Sequence, residues 1–147
     1  RRLASVPSVA VFQHNPIGVE VDSVPSFYLS SIFDGMLSGK LHHYATTEAA
    51  FAGMNNAEVD AVMALRGEID WQLKQAANPA FAKAENAYPD MGKQVWDIGM
   101  AVHESNRQLA YALEEKLEEL ILAGEVRTLY AQYGLQYELP ELYQDVQ

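Results

Sequence analysis

The sequence predicts an α/β fold, with a mostly parallel sheet flanked by helices and further helices at its C-terminal end. Short apolar runs alternate with stretches of helical spacing, which implies parallel strands covered on both faces. Apolar residues make up 49% of the 147, enough to build a core. The last third carries a long amphipathic stripe, Leu109, Leu113, Leu117, Leu120 and Ile121, that only a helix lines up.

Each element follows from local signals. Val9 to Phe12 is short, partly β-branched and preceded by Pro7, so it reads as a strand. His14 to Gly18 reads as a loop. Ser23 ahead of Pro25 opens a helix in which Phe27, Tyr28, Ser31, Ile32, Gly35 and Met36 recur at helical spacing, with Gly39 as its stop. Leu41 to Tyr44 is a second short strand. Thr46-Thr47-Glu48 caps a short helix that closes at Asn55-Asn56. Val59 to Leu65 is the clearest buried strand, and Gly67 to Gln75 a helix broken by Asn78-Pro79. Phe81 to Ala87 is a weak strand, and Val95 to Val102, which alternates and then turns apolar, is another. A helix from about Asn106 to Ala123 stops at Gly124; a shorter one from Val126 to Tyr133 stops at Gly134. The reading is one domain over 1–147, with 136–147 as a tail.

Composition narrows function. Ten Lys and Arg stand against twenty Asp and Glu, a formal net charge of −10. Such a chain repels nucleic-acid phosphates and anionic lipid surfaces and attracts basic partners. With no cysteine, disulfides and thiolate metal sites are excluded. No apolar run approaches the roughly 20 residues that span a bilayer. The chain opens on Arg1-Arg2 without a visible signal peptide, which reads as a mature or trimmed start.

The chemistry-bearing residues support binding better than catalysis. His42 and His43 are adjacent, so on a strand they face opposite ways and cannot share one ion. His14 and His103 fall at loop ends, and no histidine spacing supports a metal site. No serine sits in a nucleophile elbow, and no glycine-rich phosphate loop is present, so no cofactor is expected. Glu114, Glu115, Glu118 and Glu119 around Lys116 form a solvated helix face. Arg66 and Trp71 follow the Val59–Leu65 run, at the strand end where ligands settle in parallel sheets. Tyr130, Tyr133, Tyr137 and Tyr143 cluster near the end, either covering the core or forming an aromatic partner-binding surface.

Three stretches carry a family resemblance: Tyr44 through Val62, with Gly53-Met54-Asn55-Asn56-Ala57-Glu58-Val59-Asp60-Ala61-Val62; Trp96 through Val102; and Leu109 through Leu135. Together they resemble the second half of the periplasmic solute-binding proteins of type 2, the extracellular family-3-like group of ABC-transporter-type binding proteins. Residues 7–90 resemble part of the second lobe, and 95–135 the return strand and closing helices. The wording Val95-Trp96-Asp97-Ile98-Gly99-Met100-Ala101-Val102 is similar to the branch encoded with quinoprotein alcohol dehydrogenases, such as the J proteins of methanol dehydrogenase systems. The resemblance implies a periplasmic, non-enzymatic protein. As an accessory, it would dock on a quinoprotein dehydrogenase or its cytochrome; as a transport protein, it would bind a small solute through His14, Asn15, Arg66 and Trp71. The family's ammonium-pairing Asp would fall near Leu65, and Glu20 and Asp22 would repel a ligand carboxylate, so an ordinary amino acid is not the expected ligand. The family's first lobe has no counterpart ahead of Val9, so another chain would supply it or this lobe would serve as an interaction platform.

Overall fold

A computed structural model describes residues 8–76, 81–84, 88, 90–92 and 94–146. The chain divides into two compact units, Arg1–Gly92 and Lys93–Gln147.

The first unit is α/β. Its sheet has three parallel strands, β1 (Ile17–Glu20), β2 (Leu41–Tyr44) and β3 (Ala61–Val62), in the order β2-β1-β3. Helix α1 (Val24–Ser31) connects β1 to β2, α2 (Thr47–Asn55) connects β2 to β3, and α3 (Arg66–Ala76) follows β3. Alternation in β1 assigns the two helices to opposite faces. Ile17 and Val19 are buried in a core with Val9, Phe12, Leu29, Ile32 and Leu37, on the α1 side. Gly18 and Glu20 face α2: Gly18 lies against Tyr44, whose ring also borders Gly53 of α2, and Glu20 bonds Thr47. Full burial of Val19, Leu29, Leu37 and Val59 contributes about 1.5–3 kcal/mol apiece.

Helix starts agree with their sequence signals. The Ser23 hydroxyl accepts from the Ser26 N–H at 3.2 Å, and Thr46 Oγ1 from the Ala49 N–H at 3.1 Å. Glu68 Oε2 reaches back to the Leu65 N–H at 2.9 Å, half of a capping box at the start of α3.

Strand positions differ from expectation. Val9–Gln13 is a 3-10 helix, not a strand. Its buried residues, Val9 and Phe12, are three apart, the 3-10 repeat, and Ser8 Oγ accepts from the Ala10 N–H. The central strand β1 lies instead in the stretch whose Pro16 and Gly18 read as loop. Glycine is needed there because a Cβ at Gly18 would stand 2.9 Å from Tyr44 Cε2. Of Val59–Leu65, only Ala61–Val62 is strand, although Asp60 N–H to Pro16 O and Met63 N–H to Gly18 O extend its bonding to β1. Phe81–Ala84 forms no strand, and the rest of that expected element, 85–87, lies outside the described residues.

The helix expected through Met36 stops at Ser31. Ser30 and Ser31 hydroxyls donate back to the carbonyls of Ser26 and Phe27, competing with the ladder. Phe33, Asp34 and Gly35 then take φ of 52°, 53° and 79°, a left-handed turn that no helix can continue.

In the second unit, Val95–Val102 is neither strand nor helix. Val95, Trp96, Ile98 and Met100 are 55%, 46%, 87% and 59% exposed. Helix α4 (Arg107–Leu122) and α5 (Glu125–Tyr133) follow, ending at Gly124 and Gly134 with φ of 76° and 74°. Along the α4 stripe Ile121 is buried, Leu113, Leu117 and Leu120 are half-buried, and Leu109 is exposed.

Candidate functional site

In a parallel sheet of this order, the crevice beyond the carboxyl ends of β1 and β3 is where a ligand is first sought. Here the protein's own carboxylate sits at that edge. Glu20 Oε2, at the end of β1, accepts from the Thr47 N–H at 2.8 Å and from Thr47 Oγ1 at 3.0 Å. Thr47 is buried and is the first residue of α2. A negative charge is favoured at a helix N-terminus by its free N–H groups and dipole. Glu20 therefore occupies the position that a ligand carboxylate would take on α2, a stronger reason against anionic ligands than repulsion from a distance. Ser23 Oγ ties the same turn down by donating to Glu20 O at 2.6 Å.

The four residues expected to form one ligand cleft are divided between the two edges of the sheet. Arg66 opens α3 and Trp71 lies in its second turn, both after β3. His14 and Asn15 precede β1, at the strands' starting edge. Strand β1 alone separates those edges by roughly 13 Å at about 3.3 Å per residue. Asn15 is engaged locally, its Nδ2 donating to Val11 O at 2.8 Å. The structure thus places Arg66 and Trp71 at one edge of the sheet and His14 and Asn15 at the other. A first strand at Val9 would have put His14 and Asn15 after a strand, whereas in the fold they precede β1.

Two polar features went unread. His43 Nε2 lies 3.1 Å from Oγ of Ser26, a buried serine on α1, so this histidine joins β2 to α1. Tyr44 Oη donates to Glu58 Oε2 at 3.1 Å; burial first, then the hydrogen bond and charge of Glu58, raise its phenol above the ordinary 10.0. His42 and His43 do face opposite ways on β2. Among the described residues, no group of three or more His, Asp or Glu could hold a metal ion. His103 caps a short turn, its Nδ1 meeting Ser105 Oγ at 2.8 Å and the Ser105 N–H at 3.3 Å.

A cavity of about 370 Å³ opens at the end of α1, lined by Tyr28, Ser31, Ile32, Phe33, Asp34 and Asp90. Tyr88 meets Tyr28 edge-on, with ring centroids 6.1 Å apart. The Tyr28 phenol is pushed above 10.0, first by burial, then by the charge of Asp90 and by Tyr88. No sequence signal marked this place, because the left-handed turn that shapes it falls where the pattern promised more helix.

Of the four tyrosines of the C-terminal segment, two pack against each other. Tyr130 and Tyr137 pack edge-to-face at 5.3 Å, with the Arg127 guanidinium 5.6 Å from the Tyr137 ring centre. Tyr137 Oη is buried without a hydrogen-bond partner. Tyr133 is 49% exposed and Tyr143 half-buried. The structure therefore brings Tyr130 and Tyr137 together as a packed pair.

The chain matches no protein-family model, no curated protein and no solved structure. What is defined at this point is a class: an α/β unit with a parallel three-stranded sheet, followed by a helical unit. Among the described residues, no helix is long and apolar enough to cross a membrane.

Proposed function

We propose that this chain is a partner protein that works by docking, not by making bonds, and that Val95–Val102 is its contact element. The observation that carries this reading is the state of that segment. Among the described residues, none of its backbone groups has a hydrogen bond, and its large apolar side chains stand in solvent. Apolar side chains are costly to leave in water, and amides bonded only to water are open to pairing, so strand addition to another sheet would cover the first and use the second. Period-two spacing would collect Trp96, Ile98, Met100 and Val102 on one face. Glu20, at the end of β1 and bonded to the start of α2, supports the same reading by occupying the edge where an anionic small ligand would sit.

The sequence resemblance names the first partner to test, a quinoprotein alcohol dehydrogenase, and the periplasm as the compartment. The purified chain and such a dehydrogenase are run together on a sizing column at low salt. Co-elution is expected, with loss of it in the Trp96→Ala/Ile98→Asp variant and weakening as salt rises, since the chain carries −10. Separate elution of the unaltered chain at low salt would overturn the reading for this partner class.

A further inference from the structure

We propose that the cavity at the end of α1 binds a small organic cation, an ammonium carried on a short apolar body. This is independent of the docking reading. The volume, about 370 Å³, falls in the range of ligand pockets. Its lining divides by chemistry. Asp34 and Asp90 are acidic residues from two separate segments of the unit, while Tyr28 and Phe33 are aromatic. That is the combination an ammonium selects: carboxylates for the charge, and ring faces that attract a cation while covering its carbon body. Ser31 offers little competition for the head group, because its hydroxyl already donates to the carbonyls of Phe27 and Tyr28. The upward shift of the Tyr28 phenol, to which the charge of Asp90 contributes, agrees with a negative field inside the cavity.

An anion is disfavoured by the same two carboxylates, and a neutral molecule would leave their charges unanswered. A bare metal ion fits less well, since among the described residues the lining supplies two carboxylates without a third acidic or imidazole ligand.

Three probes of one shape separate these cases: benzylammonium, benzyl alcohol and benzoate, each titrated into the whole chain at physiological ionic strength and followed by amide chemical shifts. Benzylammonium is expected to move Ile32, Phe33, Asp34 and Asp90 saturably, with benzyl alcohol at least about tenfold weaker and benzoate without effect. Asp34→Asn/Asp90→Asn should weaken benzylammonium by about tenfold or more. Asparagine tolerates the left-handed φ of both positions, 53° and 60°, so that variant keeps the fold. Asp60→Asn/Glu118→Gln, the same change of charge at exposed positions elsewhere, should leave binding unaltered. Equal binding of alcohol and ammonium, absence of saturable shifts, or equal weakening by the control pair would each overturn the assignment.

Discussion

Tyr44 is clamped between two glycines, and that clamp decides what an alanine would do at either. A Cβ at Gly53 would stand 2.6 Å from Tyr44 Cζ, and one at Gly18 2.9 Å from Tyr44 Cε2. In an open helix, glycine to alanine stabilises by about 1 kcal/mol. At Gly53 the ring cannot swing away, because β1 closes its other side, so overpacking wins. Gly53→Ala is expected to lower stability by about 1–2 kcal/mol, read as a lower urea midpoint at unchanged slope. Adding Tyr44→Leu should recover part of that loss, since the two changes share one space. A midpoint that rises in Gly53→Ala would show the ring to be free. At this scale the sequence is hard to read. Gly18 looks like loop punctuation, and only Tyr44, twenty-six positions away, shows why it belongs in a strand.

Helix elements are secured from within and strands from outside. Ser23 and Thr46 cap α1 and α2 through contacts three residues long, and both starts could be read from the chain. The second tie on α2 comes from Glu20, on another element. Glu20→Gln keeps the shape and one acceptor oxygen but removes the charge facing the helix dipole. A loss of about 1 kcal/mol is expected, with faster hydrogen exchange at the Thr47 amide. Equal stability and equal Thr47 protection in the variant would mean that the carboxylate adds nothing to α2. The charge of Glu20 is plain in the sequence, but its pairing with Thr47 spans twenty-seven residues.

For the whole molecule, the contrast between the two units sets the expectation. The first unit holds a core of fully buried side chains, and the second begins with Val95–Val102 in solvent. Amides without bonds exchange freely, whereas core amides exchange only when the structure opens. In the isolated chain, Val95–Val102 should exchange near the rate of an unstructured peptide while Ile17–Glu20 and Leu41–Tyr44 stay protected. Binding a partner by strand addition should slow the first set without altering the second. Protection of Val95–Val102 in the isolated chain would contradict the unpaired state on which docking rests. The apolar alternation of this segment predicts a strand. Its side chains have the pattern, but no neighbouring strand meets it among the described residues.

By itself the sequence determined the α/β class, the starts of α1 and α2 and the glycine stops of the last two helices. Those outcomes depend on hydrogen bonds between residues three or four apart, so the neighbours that decide them are written alongside. Tertiary structure alone decided which short apolar run became the central strand, which stayed unpaired, and that Asp34 and Asp90 share one cavity. A strand exists only where a distant segment accepts its backbone bonds, and a cavity only where distant side chains leave space between them.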